Sequence, residues 1–332
     1  MGFKILLLSS FFPSPVFSLH LRLPFFSRRR LKQDLYTREE LSEGIAGFYD
    51  RSSGLWESMW GEHMHHGYYP VGAPAPRSMD EHRAAQVDMI DKVLDWASPP
   101  TGESLEANWQ PKSILDVGCG IGGSTRHIAR RFAGSADQGI GITLSSFQRE
   151  RAEALTAEAG LSDKLSFRVQ NALQMPEEWK NKFDLVWSLE SGEHMPDKPG
   201  FVRELCRVAA PGGRIIIVTW CHRDLEPLNP KEERLLARIN RAYYLPRWCS
   251  TGDYIRLLEA EGCVNVRRAD WTREIAAFWP AVIKSSLSPR GLLGLARSGF
   301  TTIRGAVAML LMVKGYRSGL IVFGLITAEK AA

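Results

Sequence analysis

Ser113-Ile114-Leu115-Asp116-Val117-Gly118-Cys119-Gly120-Ile121-Gly122-Gly123 decides the fold of this chain. Ile114, Leu115 and Val117 suit a strand covered on both faces, and Ser124 to Arg131 continue with helical spacing. The glycines between them let the backbone approach a ligand closely. Gly118, Gly120 and Gly123 also satisfy G-x-G-x-x-G, so a dinucleotide is one reading of the turn. Two features favour S-adenosylmethionine (SAM). Asp116 closes the strand where a carboxylate can meet an ammonium group and would repel a pyrophosphate. The next strand, Gly139-Ile140-Gly141-Ile142-Thr143-Leu144-Ser145, ends in neutral residues, whereas a dinucleotide site places an acid for the ribose about 20 residues after its glycines.

Outward from this turn, strands and helices alternate, the pattern of a mostly parallel, Rossmann-like α/β sheet with helices on both faces. The predicted strands are Ile114–Val117, Gly139–Thr143, Leu165–Val169, Phe183–Leu189, Arg214–Trp220 and Val264–Ala269, with Leu320–Thr327 as a seventh, closing edge strand. Helices are predicted over Ser124–Phe132, over Ser145–Ala159 and over Lys198–Val208, the last ending before Pro211-Gly212-Gly213. Upstream, Thr37-Arg38-Glu39-Glu40 has a capping-box pattern and opens a helix toward Tyr49. An aromatic and histidine-rich stretch, Trp56 to Tyr69, follows, then a helix from Met79 to Trp96 and a polar loop from Ser98 to Pro111. The expected organisation is a targeting segment (1–36), a helical cap with an aromatic and histidine lid (37–110), a SAM-binding core (111–222), and a substrate-covering region holding further helices and the last strands (223–332).

The 332 residues suffice for one large domain with an appended lid. Cys119, Cys206, Cys221, Cys249 and Cys263 are odd in number and contain no C-x-x-C pair, which points to a reducing compartment and to no cysteine-based metal site. The formal charge of +5 is uneven. Residues 1–33 hold six of the 42 Lys and Arg and no acid, leaving 36 basic against 37 acidic residues elsewhere. Such a balance argues against a nucleic-acid-binding domain. The Arg- and Ser-rich, acid-free N-terminus reads as an organelle transit peptide, although the apolar run Ile5 to Leu8 after Lys4 leaves a secretory signal or a retained surface anchor open. Residues 275–328 also lack any acid but carry Lys284, Arg290, Arg297, Arg304, Lys314 and Arg317 among apolar residues, a composition suited to peripheral contact with an anionic membrane or to covering an apolar substrate.

In an open α/β sheet the ligand lies across the carboxyl ends of the strands. Asp116, Gly118, Gly120 and Gly122 come from the first turn. Thr143, Leu144 and Gln148 follow the second strand and are assigned to the ribose; Asn171 and Ala172 follow the third and are assigned to the adenine. Ser188 ends the fourth strand and joins the cofactor set. After it, Glu190, Glu193 and His194 gather two carboxylates and an imidazole within five residues, more acid-base chemistry than helix capping requires, and are the candidate catalytic groups. His63, His65 and His66 invite a metal reading, but ligands for one ion normally come with second-shell carboxylates and a spacing that places them on one face, so no metal is assigned. A lid is the better reading, with Trp56, Trp60 and Tyr68 as aromatic faces for a sulfonium.

The chain resembles the plant and algal γ-tocopherol methyltransferases, which are SAM-dependent class I enzymes. The resemblance is carried by Tyr49-Asp50, by Gly54-Leu55-Trp56-Glu57 and by Gly61-Glu62-His63-Met64-His65-His66-Gly67. It continues through Asp116 to Ser124, Gly141 to Ser145, Glu190-Ser191-Gly192-Glu193-His194-Met195-Pro196-Asp197 and Ala209 to Arg223. Tyr244-Leu245-Pro246, Trp248 to Thr251 and Phe278-Trp279-Pro280-Ala281-Val282-Ile283 extend it, so that it spans roughly residues 45–328. One departure is Asn171, where the family usually has Asp; an amide still bonds adenine. The resemblance implies methyl transfer from SAM to a chromanol ring carbon of γ-tocopherol (and δ-tocopherol), giving α-tocopherol (and β-tocopherol), in a plastid and beside a membrane. It also implies a base near the phenol, Glu193 or His194, with Glu190 positioning, and substrate contacts from His65, His66, Tyr68, Trp271 and Trp279. Sibling methyltransferases acting on a prenyl benzoquinol, a sterol or an indole-alkaloid nitrogen share the cofactor half, and a SAM-binding protein without turnover is the rival of another class.

Overall fold

The computed structural model describes residues 38–74, 76–98, 109–224, 227–286 and 299–332. The expected targeting segment and its neighbour Thr37 lie outside them, as do Arg290, Arg297 and most of the loop from Ser98 to Pro111. Seven strands form one sheet in the order β3-β2-β1-β4-β5-β7-β6. These are β1 (Ser113–Val117), β2 (Gln138–Thr143), β3 (Leu165–Val169), β4 (Phe183–Leu189), β5 (Ala209–His222), β6 (Cys263–Asp270) and β7 (Ile321–Lys330). β1 pairs in parallel with β2 on one side and with β4 on the other, so the strand order reverses at its carboxyl end. All five β1 residues are buried, as the apolar run required.

The C-terminal region belongs to the same sheet: β7 inserts antiparallel between β5 and β6, in register from Arg214 opposite Glu329 to His222 opposite Ile321. β5 starts five residues earlier than expected. Its pairing with β4 jumps from Phe183–Ala209 to Leu185–Arg214, and the Pro211-Gly212-Gly213 turn is absorbed as a bulge. Gly213 is required there, since a Cβ would lie 2.7 Å from the Ala210 carbonyl oxygen.

The helices are α1 (Arg38–Trp60), α2 (Met79–Ala97), α3 (Gly123–Arg131), α4 (Ser146–Glu158), α5 (Lys198–Val208), α6 (Pro230–Tyr243), α7 (Thr251–Ala260), α8 (Phe278–Ser286) and α9 (Gly299–Arg317). Local signals set most boundaries. Ser145 caps α4 by accepting from Gln148 N–H, and Asn229/Glu232 and Ser250/Asp253 form capping boxes on α6 and α7. α1 runs past Tyr49 to Trp60, so Trp56 and Trp60 are helical rather than part of the lid loop. One face of the sheet packs on α5 and α7 around Phe183, Phe201 and Tyr254, and the other packs on α2 and α3 around Ile90, Leu94 and Trp187. A third apolar cluster joins α1, α6, α8 and α9 through Trp60, Tyr243, Phe278, Trp279 and Met312. The five cysteines are free thiols; Cys206 and Cys263 approach to 3.3 Å between sulfurs.

Candidate active site

A cleft of about 1130 Å³, counted to its open mouth, lies at the carboxyl ends of β1, β2 and β4, where the strand order reverses. Its floor includes Asp116, Gly118, Gly120, Thr143, Leu144, Gln148, Asn171 and Ala172, so eight of the ten predicted cofactor residues share one wall. The other two stand behind it. Gly122 (φ 79°) starts α3 and faces Phe167 and Arg126. Ser188 bonds Ser191 Oγ at 2.7 Å, and Ser191 donates to the Val117 carbonyl at 2.6 Å, bracing the glycine turn from below. Gly118 (φ 84°) has no room for a side chain, because a Cβ would lie 2.3 Å from that of Ser191.

Asp116 is 2 % exposed and accepts from Thr125, whose Oγ1 donates to Oδ2 at 2.6 Å. Burial lifts its carboxyl to about 7. A carboxyl so desolvated is a waiting counter-charge for a cation at the glycine turn. At the opposite end, Asn171 Oδ1 accepts from Leu173 N–H at 2.9 Å, which presents the amide to the cleft.

The roof comes from α1 and the loop after it, which sequence reading credited only in outline. Leu41, Ile45 and Tyr49 form an apolar stripe at i, i+4, i+8 facing the cleft. Beside it a polar stripe bonds the core: Ser145 Oγ donates to Asp50 at 2.5 Å, Gln148 Nε2 donates to Ser53 at 3.1 Å, and Arg151 reaches Glu57 at 2.7 Å. The loop is pinned by Gln86, whose Nε2 donates to the carbonyls of His63 and His65 at 2.8 Å each, and by Arg126, which donates to Glu62 at 2.7 Å.

The predicted catalytic segment splits in two. Glu190 and His194 line the cleft. Glu193 is absent from its wall; it is buried and accepts from Thr219 Oγ1 at 2.6 Å. Burial, then the nearby Glu190 charge, raises Glu193 to about 8, so near neutral pH it is mostly protonated. His194 sits in a 3₁₀ turn, Gly192–His194, that buried Lys198 clasps by donating to the carbonyls of Gly192, Glu193 and Met195 at 2.7–3.1 Å. Burial and the Lys198 charge lower His194 to about 4, which keeps its imidazole neutral. Its Nε2 lies 3.1 Å from Tyr49 Oη, and burial, then Glu193 and Glu190, hold the Tyr49 phenol neutral, so Tyr49 donates.

Glu190 takes the left-handed conformation (φ 53°), strained for a residue with a side chain. It accepts from His66 N–H at 2.6 Å and from His66 Nδ1 at 2.7 Å. Burial alone would lift its carboxyl, but His66 holds it below the ordinary value. Of the predicted substrate residues, His65 lines the cleft, and His66 and Trp279 meet 5.2 Å apart behind Glu190. Tyr68 and Trp271 pack on each other at 5.1 Å, away from the cleft. No tryptophan reaches the cleft wall: Trp56 and Trp60 stack on each other at 5.7 Å, and the aromatic face presented there is Tyr49. Among the described residues, no group of three or more His, Cys, Asp or Glu is arranged to hold a metal ion.

A family model described as a methyltransferase domain matches residues 110–273. The chain is 57% identical over 294 residues to a probable chloroplastic tocopherol O-methyltransferase of Oryza sativa subsp. japonica, covering 87% of this chain and 78% of that one. It is 51% identical to the chloroplastic tocopherol O-methyltransferase of Arabidopsis thaliana, covering 88% and 83%. The chain belongs to the tocopherol methyltransferase family. This methyltransferase also has the fold of a solved geranyl diphosphate C-methyltransferase from Streptomyces coelicolor A3(2), with a TM-score of 0.68 at 23% identity, covering 88% of this chain and 98% of that one.

The cofactor of the methyltransferase is SAM, and the cleft fits it. Asp116 would supply a desolvated carboxylate for its ammonium, Gly118 and Gly120 keep the turn free of side chains, and Asn171 would offer an amide at the far end. SAM when bound supplies an electrophilic methyl group. Tyr49, Leu41 and Ile45 line the cleft from α1, and Leu189, Glu190 and His194 line it from the end of β4 and the turn after it.

Proposed function

We propose that this methyltransferase methylates the free ring carbon beside the phenolic hydroxyl of γ-tocopherol, and likewise of δ-tocopherol. The observation that carries the reading is that identity to the two tocopherol relatives runs over 294 and 296 residues, well beyond the 164-residue methyltransferase domain and so into lid and cover. His194 and Tyr49 take the ring proton, Tyr49 Oη receiving it as its own proton passes to Nε2. Glu193, neutral and bonded to Thr219, shapes the turn instead of acting as the base. The core residues facing Asp116 and Asn171 hold the cofactor.

The second reading is methylation of an amine, because an ajmaline N-methyltransferase of Rauvolfia serpentina is 38% identical, covering 88% of this chain and 99% of that one. One incubation with labelled SAM and a panel of γ-tocopherol, a prenyl benzoquinol, a sterol and an indole alkaloid decides between them. Label in γ-tocopherol is expected, and label only in the alkaloid overturns the choice.

The relatives' names place those proteins in the chloroplast, and the acid-free N-terminus supports a plastid transit segment here. Peripheral membrane contact is supported by α9, where Leu310, Lys314 and Arg317 are exposed at i, i+4, i+7. No helix among the described residues is long and apolar enough to cross a membrane.

A further inference from the structure

Behind Glu190 lies a group of polar atoms that the proposed chemistry has not yet used. His66 is 1 % exposed, and both Glu190 oxygens are committed to its backbone N–H and its Nδ1. That pairing keeps the proton on Nδ1 and leaves Nε2 as the open lone pair. Nε2 is buried and has no hydrogen-bond partner. Around the imidazole stand Phe278 at 4.1 Å, Trp279 and Phe323 at 5.2 Å and Trp220 at 6.0 Å between ring centres. Nε1 of Trp220, Nε1 of Trp279 and Oη of Tyr316 are also buried without partners. Such an atom is costly to bury unanswered, and a ligand group that bonds it removes that cost. Aromatic walls with several unanswered polar atoms describe a subsite for a flat, hydroxyl-bearing ring.

We propose that His66, oriented by Glu190, is the catalytic base for the acceptor's hydroxyl, with the ring seated among Trp220, Phe278, Trp279 and Tyr316. The inference rests on the tocopherol reading, because it requires a phenol. The hydroxyl proton passes to Nε2, and the Glu190 carboxylate stabilises the imidazolium. The phenoxide's electron pair forms the new carbon–carbon bond as the methyl–sulfur bond breaks, leaving a dienone. Tyr49 and His194 remove the ring proton, the dienone returns to phenoxide, and His66 gives its proton back to oxygen. One proton, held by His194, leaves for solvent. Glu190 lines the cleft and also bonds His66, so it ties the base to the wall of the cofactor cleft. The other titratable groups near this pair are His65 on the same loop, Glu193 and His194 on the turn after β4, Tyr49 from α1 and Tyr316 from α9, all of which feel the Glu190 charge.

The test uses the full-length enzyme with S-adenosylhomocysteine, so that nothing turns over, and a fluorinated chromanol whose phenolate absorbs apart from its phenol. Binding is followed by protein fluorescence and ionisation by the phenolate band as pH is raised. In the wild type the bound chromanol ionises about 1–2 pH units below the free one. His66→Gln abolishes that shift while chromanol and S-adenosylhomocysteine still bind, Glu190→Gln reduces it, and His194→Ala leaves it intact. In turnover, His66→Gln lowers kcat about 100-fold on γ-tocopherol but only about 10-fold on the more acidic fluorinated chromanol. Retention of the shift in His66→Gln, or its loss only in His194→Ala, overturns the proposal while the acceptor reading stands. Failure of the wild type to bind either chromanol fells both.

Discussion

Asp116 and Glu193 are both carboxyls lifted by burial, to about 7 and about 8, but their surroundings give them opposite duties. Asp116 faces the cleft, where a ligand ammonium favours its ionised form. Below pH 7 binding must first expel its proton, so SAM affinity falls about tenfold per pH unit there. Titrating Kd between pH 5.5 and roughly 8 checks this, and Asp116→Asn makes the profile flat and the affinity weak throughout. Glu193 has no such partner. Unfolded, it ionises near 4.5, whereas folded it keeps its proton up to about 8, so the native state loses stability as pH rises through that window. Glu193→Gln removes the titrating group and preserves the bond to Thr219, so its advantage over wild type in urea melts grows to about 4 kcal/mol by pH 8. Its kcat stays within a few-fold of wild type, whereas His194→Ala loses about 100-fold with little change in SAM affinity. A large kcat loss in Glu193→Gln restores it as the base.

At the scale of elements, α1 does what a hinged roof does, and its grip is concentrated on one face: Asp50, Ser53 and Glu57 at i, i+3, i+7 hold Ser145, Gln148 and Arg151. The Arg151–Glu57 pair is half-exposed and worth about 0.5–1 kcal/mol. Arg151→Ala therefore speeds S-adenosylhomocysteine release roughly 2–5-fold in stopped-flow while leaving the melting temperature nearly unchanged. An unchanged release rate shows that the roof is held elsewhere. How far this site was legible follows from the same elements. Ile114 to Gly123 and the strand ends after Thr143 and Asn171 were readable because a parallel sheet delivers its loops to one edge, whatever the side chains do. The capping signals at Ser145 and Asn229 act over a few residues and survive any tertiary context. That Glu193 stands off the cleft wall was not legible, because its orientation depends on Thr219 in a neighbouring strand. The Glu190–His66 pair spans 124 residues, and no local pattern encodes it. Helix α1 outran its expected end because Ser52, Ser53 and Gly54, breakers by composition, are carried through by packing on α4 and by the Trp56–Trp60 stack.

For the molecule as a whole, the proposed acceptor is a lipid while the cofactor is water-soluble, and both must reach one cleft. Net charge does not explain how: residues 1–33 carry six basic residues and no acid, and the remainder carries 36 basic and 37 acidic residues. Attraction to an anionic bilayer must come from a local face. α9 supplies one, with exposed Lys314 and Arg317 one and two turns beyond exposed Leu310, and Lys284 is exposed on α8. The same two helices carry Phe278, Trp279 and Tyr316 on their inner side, so the face proposed to meet lipid backs onto the subsite proposed for the chromanol ring. Each cation near an anionic surface contributes about 1 kcal/mol, and salt screens it. A chain lacking residues 1–36 is therefore expected to sediment with vesicles rich in anionic lipid at low salt and to be released as salt rises. Replacing Lys314 and Arg317 together with alanine weakens that partition about tenfold, with methylation of a detergent-dispersed tocopherol unchanged and methylation of vesicle-borne tocopherol reduced in proportion. Equal binding to neutral vesicles, insensitive to salt, would assign the contact to buried apolar area instead of to this charged face.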